Sequence, residues 1–370
     1  MILGVSAEQE ELRASVRRFL ADRAPMARVR ELMDGGETDW AVWEQAGSQL
    51  GLQGLAIPEA YGGAGFSFAE QAVVLEEFGA ALYGGPYLAS AVLAAATLLA
   101  SPDEGARRGL LPDIASGQTV ATLAFTEDGG SWDPAAIRLS AVKDGEAWRL
   151  DGHKSFVLDG AMAGLILVVA TTDAGLSLFA VEGEAAGLAR AALPALDQTR
   201  QLARLEFAGV TGRLIGSPGD GAAALDRVLD VAAVALAAEQ LGGAQRALDM
   251  AVEYAKIRRQ FDRPIGSFQA IKHRCADLLL EVESLRSAVG YAAAAVAEDS
   301  AEIPALASLV KAYASETYFH VAAENIQIHG GIGFTWEHDA HLYFKRAKAS
   351  ELFLGDGAYH RERLANRIGL

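Results

Sequence analysis

A chain of 370 residues, 51% apolar and 22% charged, is long enough for two or three domains and has the composition of a folded protein. A net charge of −16 excludes the phosphate-neutralising surface of a non-specific nucleic-acid binder, though a local basic cluster could still hold a small polyanion. The single cysteine, Cys275, excludes an intrachain disulfide framework and suits a reducing compartment. The start MILGVSAEQEEL lacks a basic leader region, and runs such as Ala91–Ala100 are too short to span a bilayer. A cytoplasmic protein, with no nucleic-acid or membrane partner, is expected.

Residues 1–117 read as a helical domain. Ser6 and Gln9 form a capping box ahead of Leu12, Val16, Phe19 and Leu20 at helical spacing. Ile57–Gly65 is a Pro/Gly-marked loop, and Leu88–Ala100, apolar nearly all round, predicts a buried helix. From 118 to 218 the period changes. Val120–Phe125, Ile137–Val142, Ala147–Leu150, Leu165–Ala170, Leu176–Ala180 and Ala203–Phe207 predict short strands. Asp144-Gly145, Asp151-Gly152 and Asp159-Gly160 supply tight turns between them, so a small antiparallel β-domain is expected. From 219 to 370 long helical segments return: Leu225–Ile257, Phe268–Asp299, Leu306–Ile328 and Lys345–Ile368. They predict a C-terminal four-helix bundle and an α+β chain overall.

The densest chemistry lies in Tyr254–Asp277, YAKIRRQFDRPIGSFQAIKHRCAD. Arg258 and Arg259 offer guanidinium forks suited to a pyrophosphate, and Gln260 and Gln269 are neutral partners for sugar or base edges. Pro264 ends any helix there. The row Ile271, Cys275, Leu278, Val282, Leu285 and Val289 buries one face of the next helix, which makes Cys275 a core residue. By charge pattern alone an ordinary solvated interhelix turn is the better reading. Two further segments share this ambiguity. Phe125-Thr126-Glu127-Asp128-Gly129-Gly130-Ser131-Trp132-Asp133 is a strand running into a Gly-rich turn, either a ligand-facing nest or a hairpin connection. Gln327-Ile328-His329-Gly330-Gly331-Ile332-Gly333 ends a helix in glycines, a cap or a close approach to a ligand.

Taken together, these segments resemble the acyl-CoA dehydrogenase family, whose signatures read approximately YAxxRxQFGxPIxxFQxIKHxLAD, LTEPxAGSD, GxKxWIT and QxxGGxG. The resemblance covers the whole chain and its three-domain order. It implies FAD and acyl-CoA as ligands and an electron-transfer flavoprotein as partner. It also implies a homo- or heterotetramer in which two chains build each flavin site. Thr126 is expected at the isoalloxazine pyrimidine edge with Phe125 and Ser131 close by, although Asp128 and Ser131-Trp132 depart from the pattern. Phe156 keeps the aromatic that covers the flavin, and Leu158 loses a threonine hydroxyl; without the resemblance Phe156 reads as a core strand residue. Arg258, Gln260, Phe261, Phe268, Gln269, Gln327, Gly330 and Gly331 are expected around the adenosine half.

Dehydrogenation of an acyl-CoA needs a carboxylate to take the α-proton. The two positions where the family places it fall on Leu354 and Ala232, and neither residue accepts a proton. Glu239, seven residues beyond Ala232 and roughly 10 Å along the axis, is the fallback base, with Asp356 and Glu337 behind it. The segment SELFLGDGAYHRERLA (Ser350–Ala365) resembles the base-deficient subunit of heteromeric, steroid-degradation acyl-CoA dehydrogenases, whose partner supplies the glutamate. A flavoprotein on the same fold with monooxygenase or desulfinase chemistry, or a non-catalytic structural subunit, are the alternatives. His329, His338 and His341 do not complete a metal set, so no metal is expected. Lys345, Arg346 and Lys348 are either a solvated basic face or a pyrophosphate anchor.

Overall fold

The capping box expected at the N-terminus opens the first helix: the Gln9 amide donates to Ser6 Oγ at 3.2 Å, and the Ser6 amide to Gln9 Oε1 at 3.1 Å. The computed structural model describes residues 6–35, 38–145 and 147–370; the start Met1–Val5 lies outside them. Helices come first: α1 (Ala7–Arg23), α2 (Met26–Gly35), α3 (Trp40–Leu50), α4 (Phe68–Ala80), α5 (Ala95–Ala100) and α6 (Glu104–Ala115). Strands follow: β1 (Ala121–Ala124), β2 (Ser140–Asp144), β3 (Ala147–Leu158), β4 (Leu165–Thr172), β5 (Gly175–Glu182), β6 (Leu188–Leu193) and β7 (Leu202–Ile215). Then come α7 (Gly221–Ile257), a ribbon of β8 (Arg259–Gln260) with β9 (Arg263–Pro264), α8 (Gln269–Ala297), α9 (Ile303–His329), α10 (Ala340–Leu352) and α11 (Gly357–Arg367). Helical, β and helical regions thus follow in the expected order.

The chain divides into two units. One is Met1–Asp34, Phe68–Tyr83 and Ala233–Leu370; the other is Gly35–Ser67 and Gly84–Ala232. In the first, α4 crosses α7 so closely that a methyl on Gly79 or Gly242 would overlap the carbonyls of Glu239 or Glu76. Only glycine permits that approach. The carboxylates this crossing buries are paired: Arg13 reaches Glu76 at 2.8 Å, Arg17 reaches Glu77 at 2.7 Å, and Arg286 also bonds Glu76.

The second unit is a twisted sheet with the order β1-β4-β2-β3-β7-β5 and β6 on β7. Its pairings are antiparallel except those of β4 with β1 and β2, which are parallel. Leu139, Leu150, Val157, Ile166, Phe179 and Leu205 fill its core. The helix expected over Leu88–Ala100 forms as a π-helical stretch, Leu88–Ala94, running into α5.

Several local expectations are corrected. Asp151-Gly152 is not a turn: β3 continues through it at a bulge, with Gly152 at φ +135 and packed tightly against Leu139. Strand β6 is not among the predicted strands because LARAAL alternates only weakly. Cys275 is half-buried, not core; the apolar row on α8 is fully buried only from Leu278 onward. Among the described residues no helix is long and apolar enough to cross a membrane.

Candidate functional site

In the second unit, Phe125 and Thr126 follow the end of β1 and are buried. Opposite them the register of β3 on β7 slips between Lys154 and Val157. The resulting bulge re-aims Phe156. Phe156 takes φ +58, a left-handed conformation rare for an aromatic residue, and stays partly exposed. A set of polar contacts holds this shape. The Ser155 amide donates to the Thr126 carbonyl at 2.9 Å, the Thr126 hydroxyl donates to the Ser155 carbonyl at 2.7 Å, and the Ser155 hydroxyl bonds Asp128. Lys154, 0% exposed, donates to the Phe125 carbonyl and to Glu127 Oε1, each at 3.0 Å. Glu127 Oε1 also accepts the Arg138 and Leu139 amides at 2.8 Å, which closes the Gly-rich loop at its base.

Burial lowers the Lys154 ammonium to about 8 against the pull of Glu127. Burial works to raise the Glu127 carboxyl, but the Leu139 and Arg138 amides and Lys154 outweigh it, and the group sits below its ordinary value. Asp128, bonded by Arg204 and then Ser155, falls to about 2. Ser131 is exposed and accepts the Asp133 amide at 3.2 Å, a turn-shaping role. The Trp132 ring stands 5.9 Å from that of Phe125. The Thr126 hydroxyl is occupied by its hydrogen bond to the Ser155 carbonyl. The Thr126 backbone N–H has no hydrogen-bond partner among the described residues. Sequence reasoning assigns nothing to Lys154 and Glu127. The signal for them is a lysine inside an apolar strand with a glutamate just past a neighbouring strand.

In the first unit, α7 ends at Ile257 and the chain reverses through the β8–β9 ribbon. Phe261 and Asp262, at φ +53 and +62, form the tip with two left-handed residues in succession. Asp262 stands where the motif reads glycine. The Arg259 guanidinium bonds the Asp262 carbonyl and Gln260 Nε2 donates to the Arg259 carbonyl at 2.9 Å. Arg259 therefore closes the turn, and of the two arginines only Arg258, which is exposed, has no hydrogen-bond or ion-pair partner for its guanidinium among the described residues. Phe261 is 87% exposed, its ring edge-on to Phe268 at 6.1 Å, and Arg263 lies 4.0 Å over the Phe268 ring. Gln269 and Gln327 are exposed. A methyl on Gly330 or Gly331 would meet nothing within 4 Å, so backbone is open there. Buried His329 stacks on Tyr254 at 4.2 Å and joins the two motifs. The structure thus brings Arg258–Phe268 and Gln327–Gly331 to one end of the bundle.

Ala232 and Leu354 are both buried. Leu354 sits at φ +63, followed by Gly355 at +102. The Leu354 carbonyl lies 3.0 Å from His360 Nε2, and Lys311, 0% exposed, donates to the Gly355 and Glu351 carbonyls at 3.0 and 3.1 Å. The loop is fixed, and its side chain is aliphatic. The carboxylate of Glu239, the fallback base, accepts from buried Arg346 at 2.7 Å, an ion pair inside the bundle. Asp356 caps α11 by accepting the Tyr359 amide at 2.8 Å. Glu337 is exposed and bonded by Thr335. The basic cluster disperses too. Arg346 serves Glu239, Lys345 lies 4.2 Å over Trp336, and Lys348 pairs with Glu351 at 3.0 Å. No group of three His, Cys, Asp or Glu residues that could hold a metal exists among the described residues.

Family models match one family along the chain. Residues 6–118, 122–210 and 219–369 match the acyl-CoA dehydrogenase N-terminal, middle and C-terminal domains. The chain is 37% identical over 350 residues to acyl-CoA dehydrogenase IpdE2 of Mycobacterium tuberculosis, covering 94% of this chain and 93% of that one. Among solved structures it is similar to a variant of the Tcur3481-Tcur3483 steroid ACAD, with 34% identity, a TM-score of 0.90 and 99% of each chain covered. It is also similar to the ChsE4-ChsE5 complex from Mycobacterium tuberculosis, with 31% identity, a TM-score of 0.91 and coverage of 100% of this chain and 99% of that one.

Proposed function

The chain belongs to the acyl-CoA dehydrogenase family, and from that premise we propose that it is the base-deficient subunit of an FAD-dependent heteromeric acyl-CoA dehydrogenase. The observation that carries this reading is Leu354: a buried, left-handed, internally tied loop stands at a family base position with no carboxylate on it. Ala232 leaves the other position equally without a base, and Glu239 is committed to Arg346.

The residues present suit FAD. Exposed Arg258 suits a pyrophosphate, Gln260, Gln269 and Gln327 suit ribose and adenine edges, and open backbone at Gly330 and Gly331 admits close approach. Bound FAD supplies the acceptor for the β-hydride. Within the β-unit, Phe125, the Thr126 amide and Phe156 orient the ring system and keep water from it, while Ser131 shapes the turn beside them. The bundle residues, with Phe261 and Phe268, cover the adenosine half contributed across a subunit boundary in a tetramer. The partner subunit's glutamate takes the α-proton, and an electron-transfer flavoprotein takes the electrons. Similarity to the steroid ACAD structure favours a steroid-derived acyl-CoA as substrate.

The test is α-proton exchange of an acyl-CoA by the purified yellow protein, alone and after assembly with a glutamate-bearing homologous chain. Exchange is expected only in the mixture. Ordinary exchange rates by the chain alone would sink the base-deficient reading, and product that forms only with oxygen would favour the monooxygenase alternative.

A further inference from the structure

The buried Lys154 has no part in the functions so far assigned. Its ammonium bonds the Phe125 carbonyl at 3.0 Å, and that carbonyl belongs to the same peptide group as the Thr126 N–H. The N–H points the opposite way across a trans peptide and finds no acceptor among the described residues. A cation on the carbonyl of a peptide draws density from its nitrogen and strengthens the N–H as a donor, most of all where the local dielectric is low. Glu127 is the charged group that meets the ammonium, at 3.0 Å. His153, Asp128, Arg204 and Glu206 form a separate ion cluster nearby.

We propose that Lys154 is a positioning residue that polarises the Phe125–Thr126 peptide, so that the Thr126 amide is a strengthened donor to an electron-rich carbonyl edge of the isoalloxazine. This rests on the FAD reading above. Lys154 touches neither cofactor nor substrate; it acts through one peptide. A donor strengthened at that edge favours the electron-rich reduced flavin, so Lys154 also raises the potential of the bound cofactor. The near-neutral titration of the ammonium, about 8, gives the arrangement a pH signature: polarisation is full below that value and fades above it.

Two measurements test this on the full chain. In the protein freed of cofactor, the Thr126 amide proton resonance is expected to move as Lys154 titrates, and to lose that movement in Lys154→Met. In the FAD-loaded protein, Lys154→Met is expected to bind FAD about tenfold more weakly, the worth of one charge-assisted hydrogen bond, and to lower the flavin potential. Glu127→Gln keeps the side-chain volume and covers the case in which Lys154→Met does not fold; the midpoint of the amide titration should move down, because the ammonium has lost its counter-charge. A Thr126 resonance that ignores Lys154, or an FAD affinity and potential unchanged in Lys154→Met, overturns the proposal. Failure of the wild-type chain to take up FAD defeats the FAD reading, and with it the flavin half of this proposal, even if the amide titrates.

Discussion

The end of the β-unit at Thr126 and the end of the bundle at Arg258 are built on opposite lines. Around Thr126 the polar side chains are tied within the chain: Lys154 to Glu127, Glu127 to two amides, Ser155 to Asp128, and the Thr126 hydroxyl to a carbonyl. Around Arg258 the long polar side chains stand in solvent, and among the described residues Arg259 and Gln260 bond only their own turn. Tied groups are preorganised and lose little on binding. Free ones each lose about 0.5–1.5 kcal/mol of rotamer freedom when immobilised. One chain therefore supplies a finished wall at Thr126 and an unfinished one at Arg258.

The contrast breaks most severely if the openness at Arg258 extends into the bundle. Glu239→Gln tests this. Arg346, 2% exposed in its side chain, would lose the charge of Glu239 while staying buried, and unfolding by urea should show a loss of about 3–5 kcal/mol. A loss below about 1 kcal/mol, the worth of a surface pair, would mean that the interior yields as easily as the rim. Next in size is Arg258→Met. FAD affinity should fall about 10- to 100-fold, the range of a hydrogen bond to a charged group, while stability stays within about 0.5 kcal/mol as for any surface change. Equal damage to both would make Arg258 a structural residue and remove the contrast.

A smaller effect concerns the loop at Leu354. Burial, with Lys311 nearby, lowers the His360 imidazole to about 3, against an ordinary value near 6.5. The unfolded chain therefore binds the proton first as pH falls, and the native state loses stability between about 6.5 and 3, by at most about 1.4 kcal/mol per pH unit from this group. Above that window both states are neutral and His360 contributes no pH dependence. Urea unfolding at pH 7 and pH 4.5 should show a shallower decline for His360→Gln than for the wild-type chain.

What the sequence disclosed divides along physical lines. Helices with long periodic faces and the Ser6 cap could be read directly, because the cause of each is local. The base positions, Leu354 and Ala232, could be located only through the family resemblance, because nothing in the local pattern of either segment marks a proton acceptor. Asp151-Gly152 misled because the same dipeptide suits a tight turn and a bulge, and only packing against Leu139 decides between them. Glu239 and Arg346 lie 107 positions apart, so their pairing leaves no local mark; the same holds for Lys154 beneath Phe125. Cys275 shows the reverse error: an apolar row states which face is buried but not how far along the helix the burial extends.

Phe156 is where the smallest effect on stability carries the most information. By its residues alone it reads as core strand and by the resemblance as a flavin cover, and its φ of +58 gives the two readings different consequences. A left-handed conformation disfavours a bulky residue by roughly 1–2 kcal/mol, whereas asparagine adopts it readily. Phe156→Asn should thus regain about 1 kcal/mol of backbone strain and lose a similar amount of half-buried ring contact. The net change in unfolding free energy is expected to lie within about 1 kcal/mol of zero. The flavin should meanwhile become accessible to an aqueous quencher, because the ring that covers it is gone. A loss of about 3 kcal/mol or more, typical of a core phenylalanine, with flavin access unchanged, would make Phe156 a core residue and leave the Thr126 wall without its face.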